Sequence, residues 1–130
     1  MIFPQITAIT AAALALLQMY LMLSVGVARA RSRVGIGDGG QEPLALLIRR
    51  HGNLIENAPT FLIVLALIEL GGGLHWAVVT LAAVFLIARF AHAIAFTRSG
   101  GAHPLRAVGA FGTALSIISA AIYLLWMATV

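Results

Sequence analysis

The chain has 130 residues, of which 62% are apolar and 9% charged, with a mean hydropathy of +1.04. A water-soluble enzyme or nucleic-acid binder carries about a quarter charged residues, so the surplus apolar surface has to face lipid. The formal charge of +4 then reads as membrane topology, with no nucleic-acid partner. Cysteine is absent, which excludes disulfides, thiolate metal sites and a protein sulfur nucleophile, so any thiol chemistry has to bring its sulfur on a ligand.

Apolar stretches at residues 6–28, 54–70, 74–96 and 108–130 are each long enough to cross roughly 30 Å of hydrocarbon at about 1.5 Å per residue, the second only just. Continuous runs of this length do not alternate as barrel strands do, and inside lipid the remaining way to satisfy the backbone is a helix. The expected fold class is all-α, an integral membrane four-helix transmembrane bundle forming a single domain over residues 1–130.

In span one, Ala28-Arg29-Ala30 imitates a cleavage site, but no basic segment precedes the apolar run and the run exceeds a signal-peptide core, so it reads as a retained helix. Gln18 in its middle is expected to hydrogen-bond to another helix. The connection that follows holds Gly35-x-Gly37-x-x-Gly40. That spacing matches a dinucleotide fingerprint but lacks the strand that such a site requires, and reads as a flexible turn. Glu42-Pro43 suits a helix start, so the second helix should begin well before the bilayer.

Along that helix Arg49, Asn53 and Glu56 are spaced four and three, which keeps them within about 60° of one face. Glu69 lies far round from Glu56 and near the other membrane surface, where a pair with His75 is expected. Gly71-Gly72-Gly73 makes a tight turn into span three. There Arg89, His92 and Phe96 again share a face. Ser99-Gly100-Gly101 and Pro104 separate it from span four, which opens with Arg106. Trp76, Tyr123 and Trp126 read as interfacial belt aromatics. His51 and His103 are too loosely spaced to argue a metal site. Small residues recur at four-residue intervals (Thr7, Ala11 and Ala15; Ala91 and Ala95; Ala110 and Ala114; Gly112, Ser116 and Ala120) and permit close helix approach within or between subunits.

The arginines set the orientation. Arg29, Arg31, Arg33, Arg49 and Arg50 lie in or beside the first connection and Arg98 and Arg106 border the third, while the second connection and both termini have none. By the positive-inside rule the first and third connections are cytoplasmic and both termini non-cytoplasmic, in a multi-pass cell-membrane protein (the inner membrane in a Gram-negative cell). All four helices then bring polar groups to the cytoplasmic half of the bilayer. Ionisable groups at that depth are costly without a partner or a function. Two readings stay open for the cluster. It is a site for a small anionic ligand that also carries an ammonium group, or it is structural glue with snorkelling arginines.

The string Arg49-Arg50-His51-Gly52-Asn53-Leu54-Ile55-Glu56-Asn57-Ala58-Pro59, with the glycine-rich segment 34–40 before it and Arg89-x-x-His92 after it, resembles the membrane-associated proteins in eicosanoid and glutathione metabolism, the MAPEG family, and in particular its small bacterial members. The resemblance covers nearly the whole chain. It implies a homotrimer of four-helix subunits that binds glutathione as co-substrate, without a metal, between neighbouring subunits on the cytoplasmic side. It further implies Arg29 at a ligand carboxylate, Arg49, Asn53 and Glu56 around the γ-glutamyl end with Glu56 at the ammonium, His92 and Phe96 facing the ligand, and Arg106 as the catalytic residue that stabilises the thiolate. Phe96 stands where the family often has tyrosine, Ala107 and Ala110 where some members have hydroxyl residues, and Gly52 and Asn57 where some carry Arg or Tyr. Fewer donors therefore face the ligand. The expected function is a glutathione transferase or peroxidase acting on a lipophilic small molecule from the bilayer, and the alternative is a non-catalytic membrane protein with a sensing, carrier or structural role.

Overall fold

A computed structural model describes residues 3–95 and 104–129. Phe96, Arg98 and His103 therefore lie outside the described residues. The chain forms α1 (Gln5–Ser32), α2 (Glu42–Leu70), α3 (His75–Ala95) and α4 (Pro104–Thr129), with no strand among the described residues. All four are long and apolar enough to cross a membrane, as the composition requires. α1 and α2, at 28 and 29 residues, reach about 42 Å, a dozen ångströms more than the hydrocarbon core. Because their ends meet at the Glu69 level, the surplus projects at the arginine-bearing end. This is the early start that Glu42-Pro43 signals.

α2 and α3 form the central pair of the bundle. α1 packs on both of them, α4 packs on both of them, and among the described residues the backbones of α1 and α4 make no close approach. The core runs through Leu14, Leu21, Leu54, Phe61, Leu65, Ile68, Val78 and Phe85, with the Phe61 and Phe85 rings stacked at 3.8 Å between centroids. The α3–α4 contact is tighter and is made by small groups. A Cβ on Gly109 would stand 2.6 Å from His92 Cβ, and one on Gly112 would stand 2.9 Å from Ala88 Cβ. Glycine is required there because the two backbones approach more closely than side chains allow. The buried stripe of α4 is Gly109, Thr113, Ser116 and Ala120. Of the small-residue series read from the sequence, Ser116 and Ala120 are therefore internal while Ala110 and Ala114 face outward.

Three local features differ from or sharpen the sequence reading. Glu69 makes no ion pair with His75; its carboxylate accepts the N–H groups of Ile6 (2.8 Å) and Thr7 (2.7 Å) and the Thr7 hydroxyl (2.7 Å). The physical reason is the start of α1, whose first N–H groups have no intrahelical acceptor and no side-chain cap of their own. A carboxylate from the next helix satisfies them and meets the positive end of the helix dipole. Tyr123 similarly accepts the N–H of Leu74 at 2.8 Å, just before α3, so this belt aromatic also secures a helix start. Finally, the glycine-rich connection is organised rather than loose. Arg29 Nη1 donates to Gly37 O at 2.6 Å, with Gly35 O at 3.4 Å and Val34 O at 3.5 Å, and Asp38 Oδ1 accepts from Gly40 N at 2.9 Å. Gly37 and Gly40 have φ of +71° and +73°, the left-handed conformation that glycine alone adopts without steric cost.

Candidate functional site

α2 turns three polar residues toward one side at its arginine-bearing end. Arg49 Nη1 lies 3.3 Å from Glu56 Oε1, with both side chains more than half exposed, and Asn53 sits between them on the same face, as the spacing of four and three predicts. Two turns of helix separate the charges, so the pair forms by the side chains reaching along the surface. It is the one ion pair among the described residues. Pro59, inside α2, has no N–H to give to the carbonyl of Ile55, which leaves a backbone acceptor without its helical donor next to Glu56.

Asn53 is held from behind. Arg89 on α3 is 3% exposed and directs Nη1 at Asn53 Oδ1 (2.5 Å) and, more distantly, at Asn53 O (3.4 Å). Its Nη2 donates to Gly109 O at 2.8 Å and to the Thr113 hydroxyl. One guanidinium thus ties α2, α3 and α4 together at a single level. A guanidinium is only a donor, so it fixes which end of the Asn53 amide faces inward, the oxygen, and leaves the amide nitrogen pointing away as a donor. Arg89, which the sequence reading grouped with the ligand cluster, is a buried positioning residue with its donors directed into the bundle.

His92 is 6% exposed and packs where Gly109 lets α4 approach. Arg89 lies one turn before it on α3, and Arg106 lies one turn before Gly109 in the first turn of α4. Arg106 is exposed near the start of α4. Arg49, Asn53 and Glu56 thus share one face of α2, and Arg89 links Asn53 to the Gly109 level of α4, against which His92 packs. The structure does not bring Arg29 into that group, because its guanidinium is spent on the carbonyls of its own loop and it stands on α1, whose backbone makes no close approach to that of α4 among the described residues. Phe96 lies outside the described residues. Among the described residues no group of three or more His, Cys, Asp or Glu side chains could hold a metal.

Sequence reasoning missed Arg50. Treated there as one more interfacial arginine, it is 3% exposed, donates through Nη2 to Ser24 Oγ at 3.0 Å and stands 5.7 Å from the Tyr20 ring centroid. The available signal was Tyr20 and Ser24 four apart on α1 at the depth of Arg50. By contrast, the interhelical hydrogen bond expected of Gln18 is present, to His51 at 3.3 Å.

Against known proteins, no curated sequence matches the chain. The sequence pattern of the MAPEG family does match, over residues 7–126, an interval that takes in all four helices and every polar group described above except the very ends of the chain. With nearly its whole length and its four membrane-crossing helices so accounted for, the chain belongs to the MAPEG family, whose members are glutathione transferases or related membrane proteins.

Proposed function

We propose that this protein binds glutathione at the arginine-bearing, cytoplasmic end and conjugates it to a lipophilic electrophile, or uses it to reduce a hydroperoxide, arriving from the bilayer. The observation that carries the reading is the placement of Glu56. It lies 14 residues before Leu70, about 21 Å along the helix and so inside a hydrocarbon layer of roughly 30 Å, yet its carboxylate is half exposed on the outer face of α2. A carboxylate cannot face lipid at that depth without a large cost. A polar cleft between neighbouring copies, filled by an ammonium-bearing ligand, satisfies it. Family membership supports the same ligand.

In this reading Glu56 meets the ligand's ammonium and Arg49 a carboxylate. Asn53, its amide turned outward by Arg89, donates to the γ-glutamyl end. His92 borders the ligand on the α3 side, and the family resemblance adds Phe96 to the ligand-facing residues. Arg29 comes from a neighbouring copy in a homotrimer, since within one chain it is on the wrong helix. Arg106 is placed beside the sulfur, where its charge lowers the free energy of the thiolate and so raises the fraction of nucleophile at neutral pH.

Calorimetric titration of the detergent-solubilised protein with glutathione, run beside a conjugation assay with a generic aryl electrophile, tests it. Saturable binding and thiolate-dependent turnover are expected. Binding without turnover leaves a glutathione-binding, non-catalytic protein; absence of binding removes the proposal.

A further inference from the structure

Arg50 points away from that site. It follows Arg49 by about 100° around α2 and turns toward α1 and α3, where it lines a groove of about 220 Å³ with Leu17, Tyr20, Phe90, Ala93 and Ile94. The wall is otherwise apolar and aromatic. The arginine is 3% exposed, its hydrogen bonding is limited to the single contact with Ser24, and its Nε is buried without a partner. No carboxylate compensates its charge, because the ion pair among the described residues belongs to Arg49 and Glu56. Behind Tyr20 and Ser24 a second hollow of about 490 Å³ runs on toward Arg31 and Ser32 at the end of α1.

Depth identifies the counter-charge. Arg50 is 20 residues from Leu70, about 30 Å along the helix, which is one hydrocarbon thickness and hence the level at which acyl chains give way to headgroups. An arginine buried there, opening between two helices into the bilayer rather than into water, meets phosphodiester groups as its most abundant anions. The guanidinium fork matches phosphate oxygens, and the apolar wall from Tyr20 to Leu17 runs deeper into the membrane, alongside the course of an acyl chain.

We infer that the groove between α1 and α3 is a site for an anionic phospholipid, its phosphate on Arg50 and the upper part of one acyl chain against Leu17, Tyr20, Phe90 and Ile94. The site is separate from the Glu56 face and does not depend on the glutathione reading. Its role is to supply from the bilayer the charge that the chain omits, so that Arg50 can lock α1 to α2 through Ser24.

The test uses the full chain in detergent, offered equal amounts of dioleoyl phosphatidylglycerol and dioleoyl phosphatidylcholine, with retained lipid read by native mass spectrometry. The wild type is expected to favour phosphatidylglycerol about tenfold, because the choline ammonium of phosphatidylcholine already neutralises its phosphate and so weakens the charge-assisted contact with Arg50. Arg50→Gln should abolish the preference, whereas Arg31→Gln should keep most of it. Ala93→Leu, which fills the groove and leaves the arginine in place, should lower retention of phosphatidylglycerol. An unchanged preference in Arg50→Gln, or a loss equal to it in Arg31→Gln, overturns the proposal in favour of general surface charge. If Arg50→Gln does not fold, Ala93→Leu decides, and full lipid retention there overturns the site. Inorganic phosphate is added in a parallel arm, and if it stabilises the wild type against heat while phosphatidylglycerol does not, the ligand is a soluble anion and the lipid assignment fails.

Discussion

Arg89 Nη1 stands 2.5 Å from Asn53 Oδ1, and this contact joins the packing of the bundle to the chemistry of its surface. A buried guanidinium that also holds Gly109 and Thr113 decides which end of an amide a ligand meets. A double-mutant cycle with Asn53→Leu and Thr113→Val in the presence and absence of Arg89→Met measures its worth. Each charged hydrogen bond should show about 1.5 to 3 kcal/mol of coupling in detergent unfolding. Independent, additive effects would mean that the network does not form.

The close approach of α3 and α4 makes two glycines behave oppositely. Gly109→Ala places a Cβ 2.6 Å from His92 Cβ and should destabilise the protein by about 1 to 3 kcal/mol, the usual cost of overpacking. Gly26→Ala meets nothing within 4 Å and should be neutral or stabilising by up to about 1 kcal/mol, because alanine loses less freedom in a helix. Thermal melts in one detergent compare them directly.

Glu69 should matter for folding and not for the ligand. Glu69→Ala leaves the N–H groups of Ile6 and Thr7 without their acceptor, and a loss of about 0.5 to 2 kcal/mol is expected, as for a helix cap. Glutathione affinity measured on the folded fraction should stay unchanged. A large loss of affinity would place the ligand at the opposite membrane surface.

Glu56 and Arg106 separate binding from rate. Glu56 pairs with Arg49 on its own helix and bridges no two helices in that contact, so Glu56→Gln should keep the bundle folded while glutathione affinity falls about ten- to a hundredfold, the worth of a charge-assisted contact. Arg106→Leu should lower turnover more than affinity, because it removes charge stabilisation that matters most as the thiolate reacts. The thiolate absorbance of bound glutathione should then appear only at higher pH. An unmoved titration in Arg106→Leu that shifts instead in Arg98→Leu transfers the role to the connection between α3 and α4.

Orientation is tested by a reporter active only in the cytoplasm, fused after Val130. The arginine distribution predicts no activity there. Strong activity would invert the chain and move the polar cluster to the other side of the membrane.

The four membrane-crossing helices, the long polar extension of α2 and the shared face of Arg49, Asn53 and Glu56 are legible in the residues alone. Each follows from composition or from the helical period, which act within one segment. Tertiary structure decided which arginines are buried. Arg49 and Arg50 are adjacent and chemically identical, yet one is exposed in an ion pair and the other is enclosed by α1 and α3. The helical period alone separates them by about 100° but does not say which neighbour each will face. The same holds for Glu69, which caps a helix that begins more than sixty residues earlier, and for Arg29, whose acceptors appear only once the glycine turn folds back. Inside lipid an unpaired polar group is costly wherever it sits, so pairing is certain from the sequence, while the identity of the partner is set by how the helices pack.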